Sequence, residues 1–239
     1  LTPQTRALFI VPISNPLMLE VDLEPYYILS QERNLLTIID KTFLTPYLST
    51  PLEEGADIVL HSGTKYIGGH NDVLGGIVTV KDPQLAEDFN ALHNMIGATL
   101  SPIDSYLLQR GLKTLHLRLD RSEENAKRLA ERCSTLSSIS EVLYSGRTGM
   151  MSLRLHKDYS VAKFLENIDV CIFAESLGGT ETLITFPYTQ THVDMPDVEK
   201  DKRGIDEYLI RLSIGVENYE DIEADIIQAL EKSKVGVIS

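Results

Sequence analysis

The chain is poor in cysteine. Cys133 and Cys171 are its only two among 239 residues, so no disulfide framework can be drawn and a reducing, cytoplasmic compartment is expected. Positive charge is also short. Lys and Arg total 22 against 35 Asp and Glu, a net charge of −13, which phosphate backbones and anionic lipid would repel; nucleic acid and membrane surfaces are not expected partners. No apolar run approaches the roughly 18–20 residues that span a bilayer, and no basic-then-apolar signal segment opens the chain. Neither a Gly-x-x-x-x-Gly-Lys-Ser/Thr phosphate loop nor a Gly-x-Gly-x-x-Gly turn is present. The six histidines show no His-x-x-x-His spacing, so no metal site is expected. Low-complexity tracts and internal repeats are absent. The chain opens on Leu1 and enters a strand-like run almost at once, and a piece of a longer protein is expected.

What is there is an ordinary globular balance, 43% apolar and 24% charged, in a chain long enough to bury a substantial core. Leu8–Val11, Leu35–Ile39, Asp57–Leu60 and Gly76–Val80 are short, rich in β-branched residues and bounded by Gly, Pro or polar residues, as buried strands are. Between the first two, Val21–Arg33 has helix-compatible spacing. Between the next two, Pro46–Glu54 ends at Gly55, a helix stop. This alternation predicts an α/β fold with a mainly parallel sheet. Asp82-Pro83 and Ser101-Pro102 are helix starts, with a capping oxygen and then proline in the first turn. The second pattern continues to about Arg132 with a break expected at Gly111. Beyond it, Ile139–Leu143, Met150–Leu155, Thr182–Phe186 and Leu209–Ile214 read as strands, and Tyr159–Asn167 and Tyr219–Lys232 as helices. A large domain over residues 1–112 and a smaller α+β domain over 113–239 are expected. Cys133 on a helix and Cys171 in a strand read as packing residues.

The densest chemistry lies in Ser62-Gly63-Thr64-Lys65-Tyr66-Ile67-Gly68-Gly69-His70-Asn71-Asp72, just after a strand, where α/β sheets bind ligands. A lysine among hydroxyls and glycines suits a nucleophilic amine with an anion held beside it. By itself, Ser-x-Thr-Lys is more often a surface lysine on a glycine-rich turn. Asp40, closing a strand, could equally cap the next turn. Asn15 before Pro16 is ordinary turn chemistry, and Arg211 in an alternating strand could be a surface ion pair.

The order of several segments narrows these alternatives. Ser62-x-Thr64-Lys65-Tyr66-x-Gly68-Gly69-His70-x-Asp72-x-x-Gly75-Gly76 resembles the signature of the Cys/Met-metabolism enzymes that use pyridoxal 5′-phosphate, the cystathionine γ-synthases, cystathionine lyases and their relatives. Ser14-Asn15-Pro16, Asp40-Lys41-Thr42-Phe43, Arg110-Gly111-Leu112-Lys113-Thr114, Ala174-Glu175-Ser176-Leu177-Gly178-Gly179 and Arg211-Leu212-Ser213-Ile214-Gly215 resemble further segments of that family, in its order. The resemblance implies an aspartate-aminotransferase-like, fold-type-I architecture: the later part of the large domain and the whole small domain.

It implies Lys65 as the Schiff-base lysine and proton shuttle, Ser62 and Thr64 on the cofactor phosphate, and Asp40 on the pyridine nitrogen. Asn15 would stand near the cofactor ring and the substrate carboxylate, Arg211 would clamp that carboxylate, and Ser176 would support Lys65 and the substrate. Glu175, immediately before that serine, points to γ chemistry. The implied activity is γ-replacement of an O-acylhomoserine by cysteine. The alternatives are a cystathionine β- or γ-lyase, and a degenerate chain that only folds and associates. A homo-oligomer, dimer or tetramer, acting on a sulfur amino acid or acylated homoserine is implied too. Lys41 stands where the family has Asn. No residues correspond to the family's N-terminal part, with its second phosphate loop and ring-stacking tyrosine, so weak cofactor binding by this chain is expected.

Overall fold

The computed structural model describes residues 1–235. They form two compact units: Leu1–Ile13 with Glu20–Leu115, and Ser14–Leu19 with the described residues from His116 onward. The division falls a little after the expected 112/113 boundary, and the short Ser14–Leu19 segment belongs with the second unit. Among the described residues no helix is long and apolar enough to cross a membrane.

In the first unit, β1 (Ala7–Ile10), β2 (Leu36–Asp40), β3 (Ile58–Ser62) and β4 (Gly76–Val80) lie in that order in one sheet. The first three are parallel, each return passing through helices: α1 (Glu24–Arg33), then α2 (Thr45–Leu48) and α3 (Pro51–Glu54). β4 runs antiparallel to β3, a departure from the uniform strand–helix–strand reading. The connection from β3 to β4 is a loop and not a crossover helix, and only a crossover returns a strand in parallel. Register sets two faces. Ile39, Val59 and Thr79 stand side by side on one, and Asp40, Leu60 and Val78 on the other. Ile10, Tyr27, Ile39, Ala56 and Val59 form the core beneath the first face.

α4 (Pro83–Ile96) starts where Asp82 accepts hydrogen bonds from the amides of Gln84 and Leu85, and ends at Gly97, whose φ of +74° suits a residue without a Cβ. α5 (Pro102–Leu112) is capped by Ser101, whose hydroxyl accepts from the Asp104 amide. It ends at Leu112, one residue past Gly111, so the break expected there falls at residues 113–114, before the next helix starts at Leu115. A Cβ at Gly111 would collide with the carbonyl oxygens of Ile67 and Gly68. This glycine, in the helix's last turn, therefore also serves close packing of the helix on the turn after β3.

The second unit opens with α6 (Leu115–Cys133) and carries a five-stranded sheet in the order β5 (Ile139–Leu143), β6 (Met150–Leu155), β9 (Leu209–Ser213), β8 (Leu183–Thr185) and β7 (Ile172–Phe173). α7 (Val161–Glu166) follows β6, α8 (Asp197–Lys202) precedes β9, and α9 (Tyr219–Ser233) follows it. Met151, Leu153, Leu155, Ile184, Ile210, Leu212 and Ile214 bury one sheet face against Leu129, Phe164, Ile222 and Ile226 of the helices. α8 was not expected from the sequence, because Asp197–Lys202 is almost wholly polar; for β7 only a strand at Cys171 was expected, since two residues carry no strand period. Cys133 and Cys171 are both buried; Cys171 immediately precedes β7 and does not lie within it.

Candidate active site

At the carboxyl ends of β2 and β3 the backbone turns outward. Asp40 closes β2, and its Oδ1 accepts two hydrogen bonds from Thr42, one from the amide at 3.0 Å and one from the hydroxyl at 2.6 Å. The same hydroxyl accepts from the amide of Ser62, the last residue of β3, at 2.9 Å. An Asp-x-Thr turn thus ties two strand ends together and fixes the carboxylate's direction. Asp40 Oδ2 and the half-buried Ser62 hydroxyl have no hydrogen-bond partner among the described residues. Thr42 was given no role in the sequence reading, although Asp-x-Thr is itself the signal for this turn.

Lys65 lies in the π-helical turn Gly63–Ile67, half-buried, with φ −89° and ψ −129°, outside helical values. Thr64 braces the turn. Its hydroxyl accepts from the Gly75 amide at 3.0 Å and faces the Gly75 carbonyl at 3.4 Å. One hydroxyl hydrogen serves one acceptor at a time. To donate to a phosphate, Thr64 has to give up the long contact to the Gly75 carbonyl, whereas Ser62 gives up nothing.

The second unit holds the other group. Arg211 sits mid-strand in β9, opposite Ser152 of β6 and Thr185 of β8, on the face away from the apolar core. It is 2% exposed, which overturns the reading of it as a surface ion pair. Its Nη2 donates to the carbonyls of Glu175 (2.7 Å) and Ser176 (3.1 Å) and to the Thr185 hydroxyl (2.7 Å). Its Nη1 donates to Asn15 Oδ1 at 3.2 Å. Thr185 passes its own hydrogen to the Ala174 carbonyl. Ser152 donates to the Pro16 carbonyl at 2.6 Å, which seats the segment carrying Asn15. Glu175 and Ser176 meet Arg211 through backbone carbonyls, and the Glu175 side chain is exposed. His192, another residue without a role in the sequence reading, is half-buried; burial first, then the charges of Arg211, Arg203 and Lys200, push its imidazole below the usual histidine range.

A directed carboxylate with one open oxygen, an amine in a glycine-rich turn and an open hydroxyl fit a ligand with a basic ring nitrogen, a carbonyl and an anion. Pyridoxal 5′-phosphate has those three handles, so the class defined at this sheet edge is that of the pyridoxal-phosphate-dependent α/β enzymes.

The chain belongs to a particular family within that class. Residues 1–231 match the model of the Cys/Met metabolism PLP-dependent enzymes. The chain is 48% identical over 239 residues to a cystathionine gamma-synthase/O-acetylhomoserine (thiol)-lyase of Bacillus subtilis, covering 100% of this chain and 64% of that protein. It is 49% identical to a cystathionine gamma-synthase of Haemophilus influenzae, covering 98% of this chain and 63% of the relative. A crystal structure of cystathionine gamma-lyase from Lactobacillus plantarum, complexed with L-serine, superposes with a TM-score of 0.94 at 37% identity, covering 98% of this chain and 65% of the other. The fold is therefore the fold-type-I α/β architecture expected from the sequence. The chain spans about 64% of the length of the curated relatives it matches.

Proposed function

We propose that this chain carries the catalytic lysine and the substrate-carboxylate arginine of a trans-sulfuration enzyme of the γ-synthase type, which replaces the acyl group of an O-acylhomoserine with cysteine. The observation that carries the reading is the Asp40–Thr42–Ser62 tie at the strand ends beside Lys65. Identities of 48% and 49% to two γ-synthases support the γ assignment.

Pyridoxal 5′-phosphate, when bound, supplies an electron sink for negative charge at the substrate α-carbon. Asp40 Oδ2 accepts the hydrogen of the protonated ring nitrogen, and Thr42 keeps the carboxylate aimed. The Ser62 hydroxyl donates to the phosphate, and Thr64 joins it after releasing the Gly75 carbonyl. The Lys65 amine anchors the cofactor, then takes a proton from the substrate and returns it. Arg211 orients the substrate carboxylate, a task for which a planar guanidinium is suited. Asn15 holds Nη1, and the carbonyls of Glu175 and Ser176 hold Nη2, so the arginine is already in place before substrate arrives. Ser176 serves the substrate, and the Glu175 side chain favours γ over β chemistry.

We assign the enzyme to the cytoplasm and to a homo-oligomer, a dimer or tetramer. No residue of α4 is buried, and Met95, Ile96, Ile103 and Tyr106 are well exposed, an apolar surface of the kind a second subunit covers. Light scattering that gives a single chain's mass overturns the assembly. The activity test compares O-acylhomoserine plus cysteine with cystathionine alone. Cystathionine formed from the first pair supports the γ-synthase. Cystathionine cleavage without it supports a lyase, the second reading, which the likeness to a γ-lyase favours. Neither reaction, with no cofactor absorbance, leaves a chain that folds and associates only.

A further inference from the structure

Two segments of the second unit, Arg211-Leu212-Ser213 and Glu175-Ser176-Leu177-Gly178, meet at more than the arginine. Side chains two apart on a strand share a face, so Ser213 stands on the same face of β9 as Arg211, between Met150 of β6 and Leu183 of β8. It is fully buried. Its hydroxyl oxygen accepts the amide of Gly178 at 2.8 Å. Gly178 turns the loop between β7 and β8 with a φ of +75°, which glycine adopts without strain. β9 therefore grips this loop twice. Arg211 Nη2 donates to the carbonyls of Glu175 and Ser176, and Ser213 accepts from the amide two residues on. The far end of the loop is fastened separately: Thr182 gives its amide and its hydroxyl to the Glu217 carboxylate, and its hydroxyl accepts from the Gly215 amide at 3.0 Å. Ser213 is thus not needed to close the loop onto the sheet; it sets the middle of it.

Nη2 carries two hydrogens and faces three acceptors, the carbonyls of Glu175 and Ser176 and the Thr185 hydroxyl. The longest contact, 3.1 Å to the Ser176 carbonyl, is the first that a shift of the loop would break. That carbonyl and the Gly178 amide belong to consecutive peptides joined at Leu177, whose side chain is buried. With Leu177 anchored, a rotation of the second peptide turns the first, and the Ser213 bond blocks that rotation. We propose that Ser213 is a positioning residue: by holding the Gly178 amide it sets the Glu175 and Ser176 carbonyls against Nη2, and so fixes how the guanidinium meets the substrate carboxylate. The proposal rests on the reading that Arg211 receives that carboxylate.

The test uses the chain with and without pyridoxal 5′-phosphate and two variants. Ser213→Ala removes the acceptor and keeps the Cβ; Ser213→Thr keeps the hydroxyl. The probe is L-alanine, which carries the α-carboxylate and no leaving group, and its binding is read from the absorption of the bound cofactor. By the worth of one net hydrogen bond, Ser213→Ala raises the L-alanine dissociation constant about 5-fold and leaves that of the cofactor within about 2-fold, and Ser213→Thr restores the parent value. Nitrogen-15 NMR without any ligand resolves the Arg211 Nη hydrogens in the parent, and in Ser213→Ala they average. Resolved signals in a folded Ala variant overturn the proposal, as does parent-like L-alanine binding there, or an equal loss of L-alanine and cofactor binding, which a general loosening would give. If the Ala variant fails to fold, averaged Arg211 signals in the parent overturn the proposal, and resolved ones with parent-like L-alanine binding in Ser213→Thr support it. Arg211→Lys separates the two ideas. Weakened L-alanine binding there with a parent-like Ala variant removes the role of Ser213 alone; parent-like binding in Arg211→Lys removes the carboxylate reading and the proposal with it.

Discussion

Arg211 Nη1 lies 3.2 Å from Asn15 Oδ1, a contact between residues 196 positions apart in the chain. It joins a β-strand interior to a loop that passes through the second unit for only six residues, Ser14–Leu19. The arginine is buried with acceptors at hand for both terminal nitrogens: two carbonyls and a hydroxyl for Nη2, and an amide oxygen for Nη1. A buried guanidinium without them would cost several kcal/mol.

Arg211→Lys replaces the planar fork with a point charge that cannot serve Asn15 and the Nη2 acceptors together. By the worth of unsatisfied buried acceptors, unfolding stability should fall by about 1–3 kcal/mol. Catalytic efficiency should fall, and the absorbance of bound cofactor should remain. Denaturant titration and substrate kinetics check the two effects, and loss of the cofactor would count against a substrate-side role.

Lys65→Ala removes the amine that anchors the cofactor. Turnover should drop by orders of magnitude. Borohydride treatment of the parent should fix the cofactor on the peptide containing Lys65, and mass spectrometry of the variant should find none fixed at that site. A modified peptide elsewhere in the variant would move the role to another lysine, with buried Lys41 the first to inspect.

Thr42→Val deletes the hydroxyl that gives a hydrogen bond to Asp40 and takes one from Ser62. The loss should weaken cofactor binding by about 10-fold, roughly one to two net hydrogen bonds. Thr42→Ser, which restores the hydroxyl, should recover most of it. Fluorescence titration with pyridoxal 5′-phosphate measures both.

Asp225 is a structural counterpart in the second unit. Its carboxylate accepts from the amides of Asp169 (2.8 Å), Val170 (3.0 Å) and Cys171 (2.8 Å). Burial alone would raise its pKa, but these amides and Gln228 outweigh burial and lower it below the ordinary 3.8. A folded-state pKa below the unfolded one contributes stability that is fully present above the unfolded value and is lost as the pH falls through the folded value. Asp225→Ala should therefore cost about 1–3 kcal/mol at neutral pH. The gap between parent and variant should stay constant down to pH 3.8 and close only below it, as acid titrations of the two proteins will read.

Much of this molecule is local and was legible in the sequence. Helix starts at Asp82-Pro83 and Ser101-Pro102 depend on a side-chain oxygen and a ring-fixed φ, both properties of neighbouring residues. Strands such as Gly76–Val80 and Met150–Leu155 announce themselves by composition, but only the second is buried; the first, also expected to be buried, has no buried residue. The loop after β3, with its lysine, hydroxyls and glycines, is contiguous, so its chemistry could be read along the chain. The direction of β4 could not, because a strand's polarity depends on which edge its connection returns to. Nor could the role of Gly111, which depends on a turn more than forty residues earlier approaching its Cα. The same limit applies to the chemistry. Sequence names Asp40 and Arg211, but only the tertiary structure decides that Thr42 aims the one and that Asn15, Thr185 and two carbonyls hold the other. Hydrogen bonds are selected by distance in space, and distance in space is what the order of residues leaves open.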